Sequence, residues 1–216
     1  MFLLRAQIIR LILGTGQFGW WETRLTAASL GLFAVGIFAG SLVPILNKAF
    51  FALKDTKTPV VVGIVYMILT IVFCFWFSGL LQTENSFSNF WIDFLRLHNI
   101  PDIAVIGLPL GFSLAILIQL FLLFLLLYKK LGSFDFKNIW VSARKALFAS
   151  LVMAVIGYFV RQEVGEIISM ETFFGVLIQT VATATLALFT YFAIMHVLKS
   201  PELKIVTKAI FKNERN

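Results

Sequence analysis

The sequence predicts an all-α, polytopic transmembrane helical bundle of about five spans, and two observations carry that prediction. Of the 216 residues, 60% are hydrophobic and only 13% charged, which leaves too little polar surface to coat a water-soluble globule. The apolar residues also fall in runs of about 20 that no polar face interrupts at helical spacing. At about 1.5 Å rise per residue, such a run crosses a hydrocarbon core about 30 Å thick.

Five runs meet the requirement, at 25–53, 59–81, 103–128, 140–160 and 172–198. The first holds Gly36-x-x-x-Gly40 with Gly31 just upstream, a spacing that lets helices approach closely. It also holds Pro44, which removes a backbone donor and is expected to kink the helix, and Asn47 and Lys48 near its end. The second begins at Pro59, a residue suited to a first helical turn, and contains Cys74; as the lone cysteine, it allows neither a disulfide nor a thiol metal site. The third carries Gln119 at mid-span and a second expected kink at Pro109. The fourth is the shortest, with Ser150 as the clearly polar residue of 146–160. The fifth is punctuated by Gln179, Thr180, Thr183 and Thr185. For each of these polar groups an interhelical hydrogen bond, worth about 0.6 kcal/mol, explains the residue as well as contact with a transported substrate does.

Orientation follows from the basic residues, because short loops rich in Lys and Arg stay on the cytoplasmic side. Lys48, Lys54 and Lys57 surround the first loop, Lys129, Lys130, Lys137, Arg144 and Lys145 crowd the third, and Lys199, Lys204, Lys208, Lys212 and Arg215 fill the tail. The second loop, 82–102, has only Arg96 against Glu84, Asp93 and Asp102, and the fourth has only Arg161 against Glu163, Glu166 and Glu171. Loops one and three and the tail 199–216 are therefore expected inside, in a plasma (inner) membrane protein with a cytoplasmic C-terminus. The N-terminus is then forced outside, although Arg5, Arg10 and Arg24 resist crossing a membrane unaided. Residues 1–24 thus read as the end of a truncated preceding span and a periplasmic re-entry turn. An intact five-span protein with a translocated basic N-terminus is the alternative.

The net charge of +7 is spread over three membrane-flanking segments, not one face or groove, so nucleic acid is not expected as a partner; anionic membrane lipids are. His98 and His196 fall on opposite sides of the membrane by this topology and cannot share a metal, and the carboxylates lie almost entirely in loops. Neither a metal, a cofactor nor a catalytic group is expected, and the chain does not read as an enzyme. Gly14-Thr15-Gly16-Gln17-Phe18-Gly19 matches the dinucleotide fingerprint by letter. Its context is wrong: an amphipathic apolar stretch precedes it, and the positions about 20 residues on are membrane-embedded. A glycine turn between spans fits better, with Gly14 and Gly16 adopting dihedrals closed to other residues.

Three blocks carry a resemblance. They are Ile8 to Phe18 (IIRLILGTGQF), Thr23 to Ala28 (TRLTAA) and Ala49 to Pro59 (AFFALKDTKTP). The first resembles the I-x-x-L-F-x-x-G-x-F turn of the MurJ/MviN family and the last its F-Y-A-x-x-D-x-K-T-P cytoplasmic loop, with Phe51 in place of the Tyr and Leu13 in place of a Phe. On these motifs Gly14, Gly16, Phe18, Asp55, Thr58 and Pro59 are the expected structural residues. The blocks cover roughly the first 60 residues, and span order and charge alternation extend the similarity through the tail.

The resemblance implies a flippase of the multidrug/oligosaccharide-lipid/polysaccharide (MOP) exporter superfamily, with two lobes, moving undecaprenyl-linked lipid II during cell wall biogenesis by alternating access. This chain would match spans 10 to 14, that is, part of the second lobe plus two extra C-terminal helices. The missing N-terminal spans would be its partners, and the fragment alone would be inactive. An exporter of another lipid-linked oligosaccharide and a non-transporting membrane scaffold are the alternatives. The resemblance also implies a groove for the polyprenyl tail between 140–160 and 172–198. Gly175, Ala182 and Ala184 are small enough to leave a notch there, and Phe189 can wall it. Ordinary helix packing through the same small residues is the other explanation.

Overall fold

In a computed structural model, the described residues are 3–14, 19–98, 100, 102–132, 136–167 and 172–198, with backbone only for 136–139 and 167. Gly16, Phe18 and the basic tail 199–216 lie outside them. Among the described residues the chain is helical, with no strand. The elements are α1 (Arg5–Leu13), α2 (Trp20–Ala52), α3 (Lys57–Gln82), α4 (Ser86–Leu95), a 3-10 turn η1 (Ile103–Ile106), α5 (Gly107–Leu131), α6 (Phe136–Ile167) and α7 (Phe173–Val197). Among the described residues five helices, α2, α3, η1–α5, α6 and α7, are long and apolar enough to cross a membrane. The chain divides into two units, residues 1–134 and 135–216.

In the first unit α5 lies between α2 and α3, which scarcely touch each other. Small residues explain both seams. On the α2 side, a Cβ at Gly36 would come within 2.8 Å of Ser113 Oγ and about as close to the Phe112 ring, and one at Gly40 would meet Ile116. The Ser113 hydroxyl donates to the Leu32 carbonyl at 2.9 Å inside this seam. On the α3 side, a Cβ at Gly111 would stand 2.6 Å from the Cys74 backbone nitrogen, and one at Gly107 would collide with the backbone of Phe77 and Ser78. Cys74 Sγ donates to Leu108 O at 3.4 Å and Ser78 Oγ to Ala104 O at 3.1 Å, closing the seam. Gly107-x-x-x-Gly111 is thus a second close-packing motif, on the helix opposite the expected one.

Pro109 does not sit mid-span. It is the third residue of α5, in the first turn, where its missing N–H leaves no helical bond unmade. Pro44, by contrast, is internal to a continuous α2. At the far end α5 stops at Gly132, whose positive φ of 71° gives the left-handed cap that glycine favours.

Two termini differ from the expected loops. Helix α2 starts at Trp20, and the exposed Trp20 and Trp21 are suited to a membrane interface. The stretch expected to be a fourth loop, from Arg161 to Ile167, continues α6. With 32 residues, α6 extends about 48 Å, longer than the hydrocarbon thickness, and its charged end from Arg161 is still helical. In this second unit α6 and α7 pack along each other. The Gln179 amide donates to Arg161 O at 2.7 Å and Lys145 Nζ to Leu198 O at 2.9 Å.

Candidate functional site

The loop 53–56 between α2 and α3 is built as a tight reversal around one carboxylate. Lys54 takes a left-handed conformation (φ 58°), and the Asp55 N–H donates to Phe50 O at 3.0 Å, so the chain turns back on the last turn of α2. One oxygen of Asp55 accepts the Thr58 N–H at 3.0 Å, filling an orphan donor of the first turn of α3. The other accepts the Thr58 hydroxyl at 2.7 Å and the Lys130 ammonium at 2.6 Å. Lys130 hydrogen-bonding, with the two bonds from Thr58, holds the Asp55 carboxyl well below the usual carboxylate range. Pro59 is buried in the same first turn. Asp55, Thr58 and Pro59 are therefore brought together, and Lys130, from the last turn of α5, joins them across 75 residues of chain. Charge reading placed Lys130 only as a topological marker. The available signal was that Asp55 is an acid in a basic loop, facing a second basic segment expected on the same side.

The glycine turn at the other end of α2 is partly described. The Gly14 N–H donates to Arg10 O at 2.9 Å, and a Cβ there would run into that same carbonyl group. Its φ of −74° is open to any residue. The glycine is thus needed for close approach to the end of α1, not for an unusual dihedral as expected. The Arg10 guanidinium lies over the Trp20 ring at 4.8 Å, tying α1 to α2.

On α7, Gly175 is buried, Ala182 and Ala184 are half-buried, and Phe189 is 73% exposed. At about 100° per residue, Gly175, Ala182 and Phe189 follow one stripe along the edge of the buried face, and Ala184 lies about 180° away from Gly175. The face against the partner helix is drawn from Gly175, Val176, Gln179 and Thr183. Thr183 is fully buried, with a hydroxyl that finds no hydrogen-bond partner. Gln179 has a structural partner in Arg161 O, and Gln119 is buried within α5. Asn47 Oδ1 is buried without a hydrogen-bond partner. No group of three or more metal-ligating side chains occurs among the described residues, and His98 is placed beside Asp93, at 3.4 Å.

The family model described as lipid II flippase MurJ matches residues 1–178, from the start of the chain through α6 into α7. The chain belongs to the MurJ family. Among curated MurJ proteins, the one from Borreliella burgdorferi, named "Probable lipid II flippase MurJ", is 32% identical over 71 residues, which are 33% of this chain and 14% of that protein. The protein of the same name from Buchnera aphidicola subsp. Schizaphis graminum is 28% identical over 154 residues, 71% of this chain and 26% of that one. The chain spans about a quarter or less of the MurJ relatives it matches. No solved structure matches it. The matched segment contains the loop around Asp55, the turn at Gly14 and both glycine seams of α5. As a MurJ family member with five helices able to cross a membrane, the chain is a multi-pass membrane protein.

Proposed function

We propose that the chain forms part of the second lobe of a flippase that moves undecaprenyl-linked lipid II across the bacterial inner membrane by alternating access. The observation that carries this reading is the family match over residues 1–178. It runs through α6 into α7, the two helices that the resemblance treats as additions to the exporter fold, and so favours a lipid II carrier over an exporter of another lipid-linked sugar. Charge alternation supports a cytoplasmic C-terminus, with Asp55 and Lys130 on the inner face. In this reading residues 1–24 are the end of a preceding span with a periplasmic re-entry turn, 25–198 the bundle and 199–216 a cytoplasmic tail. The stripe Gly175, Ala182 and Phe189 along α7 is the proposed seat of the polyprenyl tail, with Ala184 behind it. Partners are the lipid-linked substrate, membrane lipids and the remaining spans of the flippase.

The test replaces the matching segment of a full-length family member with this chain, in cells depleted of their own lipid II flippase. Restored growth together with lipid II accessible on the outer surface is the expected result. A chimera that inserts at normal levels yet exposes no lipid II defeats the proposal.

A further inference from the structure

Helix α4 lies between α3 and η1, inside a stretch that charge alone marks only as an extramembrane loop, and its surface divides into three sectors. At about 100° per residue, Ser88 and Leu95 fall on one side, flanked by Trp91 and Ile92. Both central residues are buried, and all of these but Ser88 belong to the apolar cluster built with Ala28, Leu32 and Ile106. About a third of a turn away, Phe90 and Phe94 stack on each other with ring centroids 5.9 Å apart while remaining 58% and 57% exposed. The remaining sector carries Ser86, Asn89 and Asp93, all exposed. A helix on the surface of a water-soluble protein needs two sectors, one buried and one polar. A third sector, aromatic, bare and adjacent to both, fits a helix with protein on one side, water on another and acyl chains on the third.

Two further features fix the position. The Asn85 side chain accepts the Ser88 N–H at 2.8 Å, capping α4, and donates to Leu80 O at 2.8 Å, so the start of α4 is pinned to the last turns of α3. Aromatic rings then continue without a break from the exposed surface of α3 onto α4, from Trp76 to Phe77, Phe87, Trp91 and Phe90, with each centroid separation between 5.4 and 6.2 Å. Because α3 is long and apolar enough to cross a bilayer and Trp76 is 57% exposed, this ring path joins the bare sector of α4 to the face that α3 would present to lipid.

We propose that α4 is an interfacial helix that seats Phe90 and Phe94 in the bilayer, with phospholipid at the level of the glycerol and upper acyl chains as the occupant of that face. Such helices bury an apolar side about 5–10 Å into the headgroup boundary, and phenylalanine is among the residues that typically form that side. The helix then anchors the α3–α5 connection against movement along the membrane normal.

The experiment places the photoreactive analogue p-benzoylphenylalanine singly at 89, 90, 93 and 94 of the full chain, reconstituted in phosphatidylethanolamine/phosphatidylglycerol vesicles. After irradiation, intact-mass spectrometry reads phospholipid adducts. Several-fold more lipid adduct at 90 and 94 than at 89 and 93 is expected. Equal yields at the four positions, or chain-to-chain adducts in place of lipid adducts at 90 and 94, overturn the proposal, the latter in favour of a protein partner. Spin labels at the same positions give a second reading that does not depend on crosslinking chemistry. Labels at 90 and 94 are expected to be more accessible to oxygen than to a water-soluble nickel complex, and the reverse ranking overturns the proposal.

Discussion

The seam between α3 and α5 makes a sharp prediction, because the two helices approach at glycine with backbone, not side chain, on the far side. Gly111→Ala adds a Cβ 2.6 Å from Cys74 N, 2.8 Å from the Phe73 carbonyl carbon and 2.9 Å from Cys74 Cα. A flexible side chain could rotate away from such an atom; a helix backbone cannot, so the helices must separate by several tenths of an ångström along the whole seam. Overpacking of this kind costs about 1–3 kcal/mol, or about 5- to 150-fold in the folding equilibrium at 1.4 kcal/mol per tenfold. The separation also lengthens the Cys74–Leu108 and Ser78–Ala104 contacts, which adds to the loss. Gly63→Ala is the control. Gly63 is half-buried but a Cβ there has nothing within 4 Å, and replacing a helical glycine by alanine where space is open contributes about 0.5–1 kcal/mol of stability through lower chain entropy. The same chemical change is therefore expected to have opposite signs at 63 and 111. Unfolding of the purified chain in mixed micelles by increasing mole fraction of sodium dodecyl sulfate, followed by circular dichroism, measures both. Equal midpoints for the two variants would refute the assignment of Gly111 to a backbone-to-backbone seam.

Three other outcomes are expected. Asp55→Asn removes an ion pair whose folded-state carboxyl is held below its unfolded value. Its stabilisation is thus present above about pH 3.9 and lost as pH falls toward the folded value. The unfolding midpoints of wild type and variant should differ at neutral pH and converge on acidification, and a difference that persists to the lowest pH would remove Lys130 from the explanation. Cysteine at 55 should resist a membrane-impermeant thiol reagent in intact cells and cysteine at 84 should react; the opposite pattern would invert the topology. Ala182→Trp in a full-length homologue should weaken binding of long-chain lipid-linked substrate and spare a headgroup analogue without the tail, and equal retention of both by folded protein would leave α7 as a packing element.

The spans were legible because the hydrocarbon thickness imposes a length on any apolar run, and no competing structure uses runs of that length. Gly36 and Gly40 were legible as a packing motif for the same local reason. Gly107 and Gly111 have the same spacing, but Pro109 between them drew attention to a kink; only the short 3-10 turn before Gly107, which puts Pro109 in a first turn, reveals the glycines as a contact surface. Helix α4 was hidden because it is 10 residues long and cannot be a span. Its signal was a pair of aromatic repeats four apart, Phe87 with Trp91 and Phe90 with Phe94, which charge counting ignores. Ala184 shows the limit of listing small residues. Size is written in the sequence, whereas the side of the helix on which each residue matters depends on which face the neighbour takes.

The loop from Lys54 to Pro59 illustrates how a local motif acquires a long-range role. Every bond from Asp55 to Thr58 would form in an isolated turn, and those bonds account for a tight reversal. Lys130 changes the consequence, since the same carboxylate that caps α3 also holds the last turn of α5. At the opposite end Ser78 and the backbone at Gly107 fasten α3 to the start of α5, and between the ends Gly111 brings the two backbones together. Helix α5 is thus held to α3 at both termini and through its first turns, while Ser113 binds it to α2. Shearing α3 past α5 would break the ion pair, expose the cap and drive Cα and Cβ atoms into one another at the same time. Small interfacial shifts are therefore costly here in a way that a seam of flexible side chains would not impose. Helices α2, α3 and α5 are thus expected to move as one body.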